Sequence, residues 1–387
     1  MGKKVAIVIS TKNRSEFIIE LLRYYARIES QHTIYIGDAS DPYHINKIIP
    51  TIKSLGDKIN IVHKQYPEYG RSITDLGTTL NKILEFVEEE YVVGSGDDDY
   101  FIPQSLDKCV EFLEYNPDYS SAHGHGTFIR YNEAKEKTII GGKYNISAYQ
   151  GDSASERFKM FITRSSVLFF SVHRTRIFRK TYKNVEKLPL HPTLFVEIMP
   201  GSMSAILGNS KELDILYLIR GVHESRYKQP ELVDTIIESG WSNALEIFIN
   251  TLSEELRILD GIDEMESKAI VKQGFSDYIE LWIKKVYSKK EVTLPENIAS
   301  PNNLSLRMLN RVKQRVPSHL KKFIRNNILP ISQEPISQDN NIKKLDGYYD
   351  VSGHLSKALP YYNELSLLLL IWDKLFNNKN NEIQMRQ

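Results

Sequence analysis

The sequence predicts an α/β fold whose parallel sheet is followed by a helical C-terminal region. Over the first hundred residues, short β-branched runs alternate with longer amphipathic ones. Three consecutive aspartates close the fourth of those runs, and helical periodicity takes over after residue 229. Alternation of this kind is the signature of βαβ units, in which each crossover helix covers the sheet it connects.

In chain order, strands are expected at 4–10, 33–37, 59–63 and 91–95, where Val, Ile and Tyr cluster. Helices are expected at 16–27 and 72–89, which place Ile, Leu, Tyr and Phe at helical spacing with charges on the opposite face. Right-handed crossovers put the C-terminal strand ends on one edge of the sheet, where open α/β sheets bind ligands. From 101 to 220 the pattern is mixed: a helix at 103–115, strands including 127–130 and 215–220, and loops rich in Gly and Ser. Further helices are expected at 202–207, 232–259, 264–289, 304–325 and 361–376. The tandem fragments Pro330-Ile-Ser-Gln-Glu and Pro335-Ile-Ser-Gln-Asp read as polar linker. The expected divisions are an α/β domain at 1–228, a helical region at 229–292, and a basic helical extension at 293–387 containing the linker 330–345.

Bulk composition narrows the function less than the motifs do. Fifty basic and 49 acidic side chains leave a net charge of +1, so overall charge names no partner. The single cysteine, Cys109, excludes an intrachain disulfide and a thiolate metal cage, and a reduced cytoplasm is the expectation. The run 5–9 is too short for a signal-peptide core, and 367–372 falls far short of the ~20 apolar residues that cross a bilayer. Gly2 is followed by Ala6 where a myristoylation motif wants Ser or Thr.

The stretch Tyr91-Val-Val-Gly-Ser-Gly-Asp97-Asp98-Asp99-Tyr100 reads as a strand delivering three carboxylates to the ligand edge. At ~4 Å and an effective dielectric near 20, each like-charge pair costs ~4 kcal/mol, so the cluster needs a cation, hydrogen bonds or open water. Mg²⁺ and Mn²⁺ take hard oxygen ligands together with substrate phosphates. A solvated acidic turn capping the helix at Pro103 is the alternative. Gly94 and Gly96, which allow close backbone approach, favour the metal and diphosphate reading.

Over residues 1–225 the sequence resembles the family 2 glycosyltransferases of the GT-A fold, the Rossmann-like nucleotide-diphospho-sugar transferases, and within them the bacterial polysaccharide and glycoconjugate enzymes. Ser10-Thr11-Lys12-Asn13-Arg14 matches the Thr-x-Asn-Arg-like turn after the first strand. Ile36-Gly37-Asp38 matches the nucleoside-contacting Asp, Gly70-Arg71 the Gly-Arg before a helix, and Asp97 to Asp99 the Asp-x-Asp motif. The resemblance implies donor binding by Thr11, Asn13, Arg14, Asp38, Arg71, Asp97 and Asp98, with Asp38 reading the base. It implies a metal held by Asp99 with Asp97. In the family an acidic pair at a helix start is followed by a strand and a metal-binding His. Glu197, then a Pro-Gly turn, a helix, a strand and His223 follow that order, which implies Glu197 as catalytic base and His223 as third metal ligand. Ile198 stands where the family places the second acid, and Asp214 and Glu224 remain rival bases. Asp38 capping a turn with Ser40 and Pro42 is the structural alternative for that residue.

Other motifs carry less. His123 and His125 alternate and could share a strand face and an ion. Arg164, Arg174, Arg176 and Arg179 could meet a phosphate or lie on a solvated face. Residues 304–325 carry seven basic and no acidic side chains at amphipathic spacing. They suit an anionic membrane surface or internal packing, with Pro317 dividing them. No nucleic-acid module accompanies them.

The function expected is transfer of a sugar from a UDP-sugar or other nucleoside-diphosphate donor to a hydroxyl of a glycan or lipid-linked acceptor, with Mn²⁺ or Mg²⁺ and with inversion. The expected place is the cytoplasm, peripheral on the inner face of the membrane. Rival readings are a non-enzymatic membrane-associated scaffold with a lapsed nucleotide-binding domain, and a sugar nucleotidyltransferase. The latter would put a Gly-rich loop after the first strand, where 10–14 holds no glycine. Dehydrogenases are excluded because no Gly-x-Gly-x-x-Gly follows a strand.

Overall fold

The computed structural model describes residues 4–132, 137–164, 167–224, 230–287 and 361–384. Its first part is the expected parallel unit. Strands β1 (Val5–Thr11), β2 (Ile34–Asp38), β3 (Ile61–Gln65) and β4 (Tyr91–Ser95) are linked by helices α1 (Ser15–Arg27), α2 (Pro42–Leu55) and α3 (Ile73–Leu84). Pairing is parallel for β1 with β2, β1 with β4, and β2 with β3. Val5 to Ile9 have no exposed surface, the mark of a central strand covered on both faces. The sequence reading names no element at α2, where Asp41 at the N-cap and Pro42 at the first turn are a start signal and Pro50 inside the helix conceals it. Helix α3 ends before the expected residue 89, and the Leu84 and Val87 carbonyls there accept from the Arg179 guanidinium.

The chain then turns antiparallel. It runs through β5 (Asp99–Phe101), α4 (Pro103–Tyr115), β6 (Tyr119–Asn132), β7 (Lys137–Tyr144), α5 (Ala154–Arg164), β8 (Val172–Arg174), α6 (Thr175–Tyr182), α7 (Leu194–Leu207) and β9 (Asn209–Val222). One sheet joins everything in the order β3-β2-β1-β4-β8-β6-β9-β5, with β7 on β6. Strands β8, β6 and β9 therefore lie between β4 and β5, although only Gly96 to Asp98 separate those two in sequence. The acidic triplet sits at that switch of sheet position, where open sheets hold ligands.

Two expected features are corrected by packing. The Pro-Gly turn before a helix at 202–207 is instead the middle of α7, with Pro200 and Gly201 both buried. A Cβ on Gly201 would stand 2.4 Å from the Phe161 ring, so the glycine admits α5 against α7. The single helix expected at 232–259 is two, α8 (Leu232–Ile237) and α9 (Trp241–Asp260), because Gly240 lies so close to His191 that a Cβ there would be 1.9 Å from its carbonyl. Helix α10 (Glu264–Tyr287) packs on α9 and α5, and α11 (Tyr362–Gln384) packs on α1, β6 and β7 with Trp372 fully buried. The basic stretch 304–325 and the linker 330–345 lie outside the described residues.

Candidate active site

The turn after β1 and the turn after β2 are stitched together. Asn13, in the left-handed region at φ 54°, donates its backbone N–H to Ser40 Oγ at 2.8 Å, and its side chain exchanges two 2.8 Å hydrogen bonds with Asp41. Asp38, paired in register with Thr11, is fully buried. Its carboxylate accepts from the Ser40 N–H at 2.9 Å and from His63 Nε2 at 2.9 Å. Burial works to raise the Asp38 pKa, but the His63 and Ser40 hydrogen bonds outweigh it and hold the group below the ordinary carboxylate range.

The three aspartates are nearly closed to solvent, at 5%, 8% and 2% exposure for Asp97, Asp98 and Asp99. The protein supplies its own counter-charges. Arg14 reaches Asp97 Oδ1 with Nε and Asp98 Oδ2 with Nη2, both at 2.9 Å. Thr11 Oγ1 donates to Asp97 Oδ2 at 2.6 Å, and His223 Nε2 donates to Asp98 Oδ2 at 2.7 Å. Asp99 accepts from Arg220 Nε at 3.3 Å and from the Gly221 N–H at 3.2 Å, contacts fixed by the antiparallel register that sets Asp99 opposite Arg220. Burial would lower the Arg14 pKa, but Asp97 and Asp98 override it and raise it, so the guanidinium stays charged. Burial raises the Asp97 carboxyl, with Arg14 working against it.

A metal fits part of this arrangement. The point where a Cβ on Gly96 would begin lies 2.7 Å from Asp99 Oδ2 and 2.9 Å from Asp98 Oδ1, so two hard oxygen donors converge over a residue without a side chain. Among the described residues no group of three or more His, Cys, Asp and Glu forms a ready cage. Substrate phosphates would have to complete the coordination.

All three aspartates line a cavity of about 1570 Å³, together with Thr11, Lys12, Arg14, Arg71 and Arg220. Glu197 lines it too, as the exposed residue in the first turn of an otherwise buried helix. Asn13, Asp38 and His223 are not among the lining residues. His223 is instead held between rings, stacked on Phe17 at 4.4 Å with Trp372 and Phe376 of α11 at 6.1 and 6.2 Å.

The chain is similar to solved structures of S. aureus TarS. Against S. aureus TarS 1-349 the identity is 15%, covering 75% of this chain and 76% of that one, with a TM-score of 0.44. Against the same protein in complex with UDP the identity is 15%, with 74% and 75% covered and a TM-score of 0.43. Against its complex with UDP-GlcNAc the values are 17%, 82%, 83% and 0.46. No protein-family model matches the sequence, and no curated protein does.

Other expected positions fall elsewhere. The rival bases Asp214 and Glu224 are exposed and not among the residues lining the cavity. A bulge between His123 and His125 breaks their common face, and His123 is buried, its pKa pushed down to about 4 by that burial. Arg174 holds the Tyr119, Leu113 and Asn116 carbonyls and Arg179 those of Leu84 and Val87, so both are structural braces. Arg164 lines the cavity while donating to the Ala148 carbonyl, and Arg176 is exposed. Arg220, Phe17 and His63 were not singled out from sequence. Only the β5–β9 register could have paired Arg220 with Asp99.

Proposed function

We propose that the protein is a GT-A glycosyltransferase that moves a sugar from a nucleoside-diphosphate donor, a UDP-sugar, to a hydroxyl of a glycan or lipid-linked acceptor. The observation that carries this reading is one cavity, at the switch point of the sheet, that joins the acidic triplet and the cationic side chains Lys12, Arg14, Arg71 and Arg220 to a further carboxylate, Glu197. Lys12, Arg14, Arg71 and Arg220 suit the charge of a diphosphate, and Arg71 lies against Asp75 with its guanidinium largely exposed to the cavity mouth. Thr11 and Asp97 orient Arg14, and Asn13 and Asp38 hold the two turns that frame the nucleoside end.

Glu197 acts as general base: it takes the acceptor hydroxyl proton as the oxygen attacks the anomeric carbon, and the bond from that carbon to the diphosphate breaks with inversion. Mn²⁺ or Mg²⁺ would be held by Asp99 and Asp98 with the diphosphate oxygens, and would stabilise the charge of the departing nucleoside diphosphate. Asp97 and His223, expected as ligands, serve in this reading by holding Arg14 and Asp98. No helix among the described residues is long and apolar enough to cross a membrane, and attachment through 304–325 at the inner face of the membrane remains part of the proposal.

Internal neutralisation of the acids by Arg14 and Arg220 favours a second reading, a metal-free nucleotide-binding scaffold. Calorimetric titration with UDP separates the two. The transferase reading expects Mn²⁺ to tighten UDP binding at least about tenfold and Asp99→Ala to remove that gain, a linkage also visible as a thermal shift. UDP binding indifferent to Mn²⁺ and to Asp99→Ala would leave the scaffold.

A further inference from the structure

We propose that the sheet face beneath α7 holds a buried cluster of ordered water, reached from the cavity at His173 and Ser204. The site follows from strand register and stands apart from the transferase reading. Ser121 of β6 lies opposite His173 of β8 on one side and opposite Ser210 of β9 on the other. Side chains directly opposite one another share a sheet face, as do residues two apart along a strand. The same face therefore carries His123 and, just before β8, Ser171. None of these five residues is more than 1% exposed. A sheet face under a helix is ordinarily apolar, yet here neighbouring positions on three strands are Ser or His.

The protein does not satisfy this patch from its own groups. Ser121 Oγ, His123 Nε2, Ser171 Oγ, Ser210 Oγ and the Tyr149 hydroxyl are all closed to solvent and have no hydrogen-bond partner among the described residues. Tyr149 belongs to the patch because its carbonyl accepts the Ser210 N–H at 2.9 Å. Burial pushes the Tyr149 phenol far up, and Ser204, Ser121 and Ser120 draw it back down. Three hydroxyls thus stand near the Tyr149 oxygen, although none is within bonding distance. Polar groups that face one another beyond direct reach have the geometry that a bridging water completes. Left dry, each would lose its hydration with nothing in return, and five such losses would take much of the stability of a whole domain.

Water is the ligand that fits. The unpaired groups are uncharged at neutral pH: hydroxyls, and a His123 ring that burial pushes down to about 4. They offer no opposite charge to a metal ion or an anion. Larger polar molecules have no way in, because His173 and Ser204, the only members of this layer that line the cavity, are 1% and 2% exposed. Ser204 Oγ stands 3.3 Å from His173 Nδ1, and Ser120, beside Ser121, donates to the Ser204 and Asn209 carbonyls. Polar groups therefore run inward from the cavity floor, and a water among them finds the two to four partners that a buried water needs.

The sign of a stability change tests the inference. Where the hydroxyls hold water, Tyr149→Phe and Ser210→Ala each remove bonds that the folded state uses, and the thermal midpoint of the full chain should fall by about 1–3 °C in each. Where they are dry, the same substitutions remove an unsatisfied buried group, and the midpoint should rise. A midpoint that stays or rises in either variant overturns the inference. A crystal structure of the unaltered chain, at a resolution that shows ordered water, gives a second test that needs no variant. Water bridging the Tyr149 hydroxyl to Ser121 Oγ or Ser210 Oγ is the expected result, and direct hydroxyl-to-hydroxyl contacts with no water between them overturn it.

Discussion

At the scale of single residues, the acidic triplet is a problem in charge that the fold solves with its own side chains. Arg14 spans Asp97 and Asp98, and removing it would leave two nearly buried carboxylates facing each other. Breaking a buried pair in this way costs about 3–5 kcal/mol, and the partial exposure of Arg14 puts the expectation at the lower end. Arg14→Met should therefore lower the unfolding free energy by about 3 kcal/mol in urea titrations, and weaken UDP binding as well. Loss of stability below about 0.5 kcal/mol would mean that the triplet is neutralised by other means. Glu197 makes the opposite prediction because it is exposed within a buried helix. Glu197→Gln should leave the thermal midpoint and UDP affinity close to their original values while lowering sugar transfer by about 10² to 10⁴-fold. Transfer that persists would return the role of base to another residue. The triplet itself was legible in the sequence, because three adjacent acids after an apolar strand are a local pattern. Arg220 was not, because it reaches Asp99 only through strand pairing more than a hundred residues away, and His223, equally distant from Asp98, was marked by family order and not by spacing.

At the scale of elements, α11 belongs to the back of the site. Trp372 packs so closely on Gly221 that a Cβ there would lie 2.8 Å from its ring, and Phe376 lies beside both Trp372 and His223. Asp373 accepts from the Thr138 N–H at 2.6 Å, and Gln104 donates to Glu364, which ties the helix to β7 and α4. Trp372→Ala should cost about 3–5 kcal/mol through the cavity it opens. Phe376→Ala, at a half-buried position, should cost less while loosening His223 from Asp98. A fall in UDP affinity of Phe376→Ala without a matching fall in thermal midpoint is the expected signature. Periodicity predicted a helix close to this place, but nothing in a linear pattern says which surface a helix meets. The same limit explains α7 and the α8–α9 break. Pro200-Gly201 reads locally as a turn, and only the close approach of Phe161 shows why a glycine is needed inside that helix.

At the scale of the whole molecule, the fold holds several histidines neutral. Burial pushes His173 and His123 down to about 4, and it lowers His32 as well. His173 donates Nε2–H to the Leu168 carbonyl at 2.8 Å and receives Ser204 Oγ at Nδ1, an arrangement that suits the neutral ring. A depressed folded-state pKa contributes stability above the unfolded value of 6.5 that is lost as pH falls through about 4. At about 1.4 kcal/mol per pKa unit, His173 and His123 could each withdraw up to about 3 kcal/mol, so unfolding free energy should drop steeply between pH 6.5 and 4. His173→Gln should flatten that slope in pH-dependent urea titrations, and an unchanged slope would assign the loss to other groups. The sequence by itself determined the alternation of strands and helices, the edge at which the loops gather and the acids that stand there, since each is written in neighbouring residues through period and turn chemistry. Tertiary structure alone decided which cations answer those acids, where α7 continues through Pro200, how α11 reaches His223, and that one cavity joins the acidic triplet to Glu197. Those features depend on contacts between distant segments, and such contacts leave no trace in the spacing of residues along the chain.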